Sequence, residues 1–187
     1  MTSKRLIVFS DSGDTVVDES TQTFDERGIV TGARLIPGAG EVLRQIHEEG
    51  FPLVMVVDGE TESFRNVYAR HDLDRFVDAW IISQEVGQQK PAPIMFETAY
   101  RKLGLTDADK SRIVMVGNNL KKDIAGANRQ GLTSVWLDWS PRYFHTFEEP
   151  DWIPDYTVKT PAELIPLLQA LEEKINLCQP PQHTPQQ

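Results

Sequence analysis

Leu6-Ile7-Val8-Phe9-Ser10-Asp11-Ser12-Gly13-Asp14-Thr15 sets a short apolar run directly against a polar turn. Three of its first four residues are β-branched or aromatic, which suits a buried strand. Ser, Asp and Gly then favour a turn. In an open parallel α/β sheet, ligands gather at the carboxyl ends of the strands. That reading puts Asp11 at the mouth of a site, on a rigid support. A carboxylate there can serve as nucleophile, base or metal ligand. One Asp in a turn is by itself more often a cap, so a site requires matching pieces from the rest of the chain.

Working outward, the same strand-then-polar pattern recurs. Leu53–Val57 is apolar throughout, as a strand covered on both faces is, and ends at Asp58-Gly59. Asp58 is placed to cap a helix over 61–70. Ala79–Ile82 and Ile113–Val116 read as further strands, the latter ending in Gly117-Asn118-Asn119. Ser134–Leu137 is a fifth, ending at Asp138. Between them the spacing predicts helices over 39–49, 92–103 and 121–130, stopped by Gly50, Gly104 and Gly131. A short strand near 156–158 and a helix over 161–175 close the fold. Strands alternating with helices give a doubly wound parallel α/β sheet of about five core strands. Residues 16–37 hold two β-type runs around a polar, Gly-containing stretch, which suggests a hairpin flap. The chain reads as a single domain over 1–175 with a disordered Gln- and Pro-rich tail over 176–187.

Composition narrows the function. The 187 residues suffice for one sizeable core. A net charge of −9 argues against a nucleic-acid groove, which needs Lys and Arg. The single Cys178 excludes an internal disulfide and fits a reducing compartment. No apolar run reaches membrane-spanning length. The expectation is a cytoplasmic protein without nucleic-acid or membrane partners. The strand ends bring together Asp11, Asp58, Asn118 with Asp123, and Asp138, and Lys90 follows the third strand after a short loop. A carboxylate nucleophile, a Lys and a distal polar cluster suit an anionic substrate, with the Lys answering its charge and a metal answering the rest.

On these residues the chain resembles the haloacid dehalogenase superfamily, over roughly 5–175. The family's first motif, a strand followed by Asp-x-Asp-Gly-Thr, corresponds to Asp11-Ser12-Gly13-Asp14-Thr15. Its Lys-Pro motif corresponds to Lys90-Pro91, and its last motif to Val116-Gly117-Asn118-Asn119-Leu120-Lys121-Lys122-Asp123. The resemblance implies a phosphatase that forms an aspartyl-phosphate on Asp11, with Lys90 holding nucleophile and substrate together. It further implies substrate contacts from Thr15, Asp58, Gly59 and Lys90. A weakly bound Mg²⁺ would be held by Asp11, the Gly13 carbonyl, Asn118 and Asp123. Three positions depart from the motifs. Gly13 stands where the family has its general acid/base, and Asp14, one residue later, is the nearest carboxylate. Gly13 has the backbone freedom to remodel that loop. Val57 replaces a phosphoryl-holding Ser or Thr, so Thr61, Ser63 or backbone N–H groups would substitute. Asn118 replaces an acid, which removes one charge from the metal site.

These departures keep two alternatives open: a non-catalytic or regulatory binding protein, and a metal-independent dehalogenase-type hydrolase. Leu35–Gly38 returns to the core almost at once, and 59–89 holds one helix and one strand, so no cap domain is expected. An open site suits a small or a larger phosphorylated substrate, or a lid borrowed from a second copy in a homo-oligomer. The aromatic segment 136–156 reads first as local packing, and second as a specificity wall or subunit contact. Arg142 is a loop cation within reach of an anion.

Overall fold

The computed structural model describes residues 5–177. Cys178 and the tail beyond it lie outside the described residues. Six parallel strands form the central sheet: β1 (Ile7–Ser10), β4 (Leu53–Val57), β5 (Ala79–Ile82), β6 (Ile113–Gly117), β7 (Thr133–Leu137) and β8 (Tyr156–Val158). Their spatial order is β5-β4-β1-β6-β7-β8. The opening stretch is therefore central: Val8 pairs with Leu53 on one side, and Ile7 pairs with Ile113 on the other. The strand order reverses at β1, which makes the carboxyl ends of β1, β4 and β6 the topological switch point.

Period-two alternation explains why these strands are apolar throughout. Leu6, Val8, Leu53, Met55, Val57, Val114 and Val116 face one core. Ile7, Phe9, Val54, Val56, Ile113 and Met115 face the other. Helices α1 (Ala39–Glu48) and α6 (Leu164–Leu177) cover the first face through Val42, Leu43, Ile46, Leu164, Leu168 and Leu171. Helix α4 (Pro93–Leu103) covers the second through Met95, Phe96 and Ala99. Residues 176 and 177, assigned to the tail, continue α6.

The flap is an antiparallel hairpin of β2 (Val17–Phe24) and β3 (Val30–Leu35). It is longer than the two apolar pairs at 16–17 and 29–30 suggested. Its residues are mostly polar and only partly buried, so apolar patterning is not required of the ribbon. Helix α2 (Thr61–Arg70) begins at Glu60, not at Asp58. The segment before Lys90 also contains a one-turn helix, α3 (Ser83–Val86), that periodicity cannot reveal at that length. The helix expected over 121–130 divides into a π-type turn at Leu120–Ile124 and helix α5 (Ala125–Gln130). Such turns often mark functional sites. No helix among the described residues is long and apolar enough to cross a membrane.

Candidate active site

Three strand ends and the flap enclose a cavity of about 430 Å³. Asp11, Ser12 and Gly13 follow β1, Asp58 and Gly59 follow β4, and Asn118, Asn119, Lys122 and Asp123 follow β6. Lys90 rises between them. Val17, Glu19, Gln22, Gly28 and Val30 roof it from the hairpin, and Tyr143 closes one side. The roof that an open site would seek from a second copy is thus supplied by this chain's own flap.

Lys90 is the electrostatic centre. Its side chain is 1% exposed, and its ammonium lies 2.6 Å from Asp11 Oδ1 and 2.8 Å from Asp123 Oδ1. It also donates to the Val56 carbonyl at 2.6 Å. Burial opposes the charge, but Asp11, Asp123 and Asp58 more than offset it and hold the ammonium above the ordinary lysine range. Asp123 is buried too, and desolvation raises its carboxyl although Lys90 pulls it down. Its second oxygen accepts from the Asn119 amide at 3.0 Å. A side chain at position 117 would overlap the Asp123 carboxylate, which is why Gly stands there.

Asp11 and Asn118 converge on one hydroxyl. Thr15 Oγ1 lies 3.5 Å from Asp11 Oδ2 and 3.5 Å from Asn118 Oδ1. Thr15 is itself buried and absent from the cavity wall, so it supports these two side chains from behind instead of facing a ligand. Asp58 lines the cavity. One of its oxygens accepts from the Lys90 amide, and the other pairs with Lys122 Nζ, both at 3.0 Å. That corrects its expected role as a helix cap. The Gly59 N–H is committed to Ser83 Oγ at 2.9 Å. Thr61 turns to Glu85 at 2.9 Å, whereas Ser63 lines the cavity and accepts from the Val30 amide.

The expected acid/base role of Asp14 requires correction. Its φ of 49° swings the side chain away from the cavity, and it is completely buried. It forms an ion pair with Arg142 and accepts from Ser140 Oγ at 2.6 Å and from the Glu19 amide at 3.0 Å. Arg142 is thereby drawn into the protein's own structure. Arg142→Ala leaves the Asp14 carboxylate buried without its cation. We expect a loss of about 3 kcal/mol in unfolding free energy, read from urea denaturation; a loss below ~1 kcal/mol would refute the pair's structural role.

Several cavity residues were not legible as such. Lys122 directly precedes Asp123, and its paired Asp58 hides it as a surface lysine. Glu19 sits two residues after Val17, and both line the cavity. The period of a strand therefore held the signal, once β2 was known to roof the site. Burial raises the Glu19 carboxyl above its usual value, while the Tyr143 hydroxyl, donating at 2.9 Å, pulls it down. Asp14 and Asp11 add to the rise. Tyr68, fully buried, donates to Ser12 Oγ at 3.1 Å. The aromatic segment divides: Trp136 and Trp152 pack in a small core of their own, and Tyr143 reaches the cavity. Asp138 pairs with His145 and Lys159 and stays out of the site. His71 bonds the Ala33 carbonyl at 2.7 Å.

The chain is 38% identical over 104 residues to the ribulose-1,5-bisphosphate 5-phosphatase of Halopiger xanaduensis. It is 33% identical over 141 residues to the glyceraldehyde 3-phosphate phosphatase of Methanopyrus kandleri. These matches cover 56% and 72% of this chain. They cover 42% and 57% of the relatives, so the chain spans about half the length of the curated relatives it matches. An uncharacterized protein from Listeria monocytogenes serotype 4b shares the fold with a TM-score of 0.72 at 22% identity, over 90% of this chain and 99% of that one. A haloacid dehalogenase-like hydrolase family model matches residues 4–131. That span holds Asp11, Lys90, Asn118 and Asp123, and by it the chain belongs to the haloacid dehalogenase-like hydrolases.

Proposed function

We propose that this protein is a phosphomonoesterase that transfers the phosphoryl group of a small metabolite to Asp11. The observation that carries this is the Asp11–Lys90 pair at 2.6 Å on the cavity wall, at the end of the central strand. Lys90 holds Oδ1, and Oδ2 has only the long Thr15 contact among the described residues. That oxygen is left to attack phosphorus. The P–O bond to the substrate alcohol breaks, an aspartyl-phosphate forms, and water then releases phosphate and restores Asp11. Lys90 and Lys122 supply positive charge beside the phosphoryl oxygens. Thr15, from behind, fixes the attacking carboxylate. A cavity of about 430 Å³ admits a small phosphorylated molecule whole. The sugar- and triose-phosphate substrates in the names of the relatives support that size class.

The donor set fits a hard divalent cation such as Mg²⁺. It consists of oxygens on the cavity wall: the Asp11 carboxylate, the Gly13 carbonyl, the Asn118 amide oxygen and Asp123. Both Asp123 oxygens are engaged by Lys90 and Asn119, so Asp123 would act through water. Among the described residues no group of three or more His, Cys, Asp or Glu forms a ligand cluster. With a neutral amide at position 118, binding is weak. When bound, Mg²⁺ would neutralise charge on the phosphoryl oxygens. Asn118→Asp is expected to tighten Mg²⁺ on the order of tenfold, measured by titration calorimetry without substrate. An unchanged affinity would remove Asn118 from the ligand set.

The reading is tested with a panel of sugar, triose and nucleoside monophosphates and p-nitrophenyl phosphate, with and without Mg²⁺. Beryllium fluoride should trap Asp11 as an acyl-phosphate mimic. No hydrolysis of any ester together with no Asp11 adduct would overturn it and favour a binding role.

A further inference from the structure

We propose that Glu19, projecting from the flap, is the proton-transfer group of this site. The inference rests on the phosphomonoesterase reading, since that reaction needs an acid for the departing alcohol and a base for the attacking water. Among the described cavity residues the other carboxylates are spoken for. Asp11 is the nucleophile. Asp123 is pinned by Lys90 and the Asn119 amide. Asp58 is held by Lys122 and the Lys90 amide. Glu60 lies on the exposed rim, where it accepts from Gln84 at 3.3 Å. Asp14 is buried outside the cavity against Arg142.

Glu19 is the carboxylate that remains, and its position is specified from two sides. A Cβ built on Gly13 would lie 2.7 Å from Glu19 Cδ and would overlap the carboxylate itself. The Glu19 side chain thus fills the space that a side chain at position 13, two residues beyond Asp11, would occupy. Gly at position 13 is what makes the room. On the other side, Tyr143 donates to Glu19 Oε2 at 2.9 Å, and the Glu19 amide is fixed by Asp14 at 3.0 Å. The buried Asp14–Arg142 pair thereby anchors the strand that carries Glu19.

The proton count closes. As Asp11 forms its bond to phosphorus and the ester P–O bond breaks, the protonated Glu19 gives its proton to the leaving oxygen and becomes a carboxylate. The carboxylate then takes a proton from water, whose oxygen attacks phosphorus. The Asp11–phosphorus bond breaks, phosphate leaves, and Glu19 is again protonated.

The test uses the full chain with Glu19→Gln, which keeps the shape and an acceptor for Tyr143. On an alkyl phosphate hydrolysed by the wild type, kcat should fall by about 10²–10⁴-fold. On p-nitrophenyl phosphate, whose leaving group needs no proton, the variant should release one equivalent of nitrophenol per enzyme in a burst and then stall. A second variant, Glu19→Ala combined with Gly13→Asp, places a carboxylate in the same space from the turn after β1 and should regain at least tenfold over Glu19→Ala alone. If Glu19→Gln keeps kcat within threefold of wild type, or loses both substrates equally with no burst, the proposal is overturned. A wild type that neither turns over any ester nor forms the beryllium fluoride adduct would overturn the phosphatase reading itself, and that outcome is distinct because it precedes any variant.

Discussion

Asp11→Asn should reduce turnover by at least about a thousandfold, since the loss of a covalent nucleophile removes the step on which the others depend. The substitution is nearly isosteric. It keeps an oxygen for Lys90 at the observed 2.6 Å contact and removes only the charge and nucleophilicity. Folding should survive, so the loss belongs to chemistry. The variant should also fail to form the beryllium fluoride adduct, followed by fluorine NMR. Full activity on a substrate that the wild type hydrolyses would place the nucleophile elsewhere.

Lys90→Ala should be costly twice over. It removes the cation beside the attacking carboxylate, which should lower kcat/KM by more than ~2 kcal/mol of transition-state stabilisation. It also strands Asp123, whose side chain is 1% exposed, beside Asp11 with no positive partner. Removing one partner of a buried pair costs about 3–5 kcal/mol. The pH dependence has a definite sign. Burial already raises Asp123, to about 7 from 3.8, with Lys90 present. Without Lys90 the rise grows. A raised carboxyl pKa means that the folded state holds the proton more tightly than the unfolded one. Its stability contribution is therefore present at low pH and lost as pH rises through the folded value. The stability deficit of Lys90→Ala should shrink as pH falls from 8 to 5, measured by thermal unfolding. A deficit that is flat across that range would mean that Asp123 stays charged and solvated. Lost stability with unchanged kcat/KM would leave Lys90 a purely structural group.

The sheet was open to reading because burial on both faces forces an unbroken apolar run. Leu53–Val57 and Ile113–Val116 cannot be mistaken for a half-exposed strand. Polar residues at the strand ends then located the site, and the structure brings Asp11, Asp58, Lys90, Asn118 and Asp123 to one cavity. The flap was legible as a hairpin but not in its placement, because how a two-stranded ribbon folds back over the sheet depends on contacts distant in sequence. Helix α3 and the π-type turn are too short for periodicity to detect.

The chain's own order thus determined the strands and the polar residues at their ends, because local alternation and turn chemistry act between residues close in sequence. Tertiary structure alone decided the fate of Asp14 and Glu19, two acids that follow Asp11 closely in sequence. Asp14 is one residue from Gly13, yet a backbone turn with φ of 49° aims it at Arg142, 128 positions away. Glu19 is six residues from Gly13, yet the returning strand lays its carboxylate in the space above that glycine. Proximity along the chain fixes neither, since a side chain's direction depends on the local dihedral angle and its neighbours depend on how the ribbon folds back.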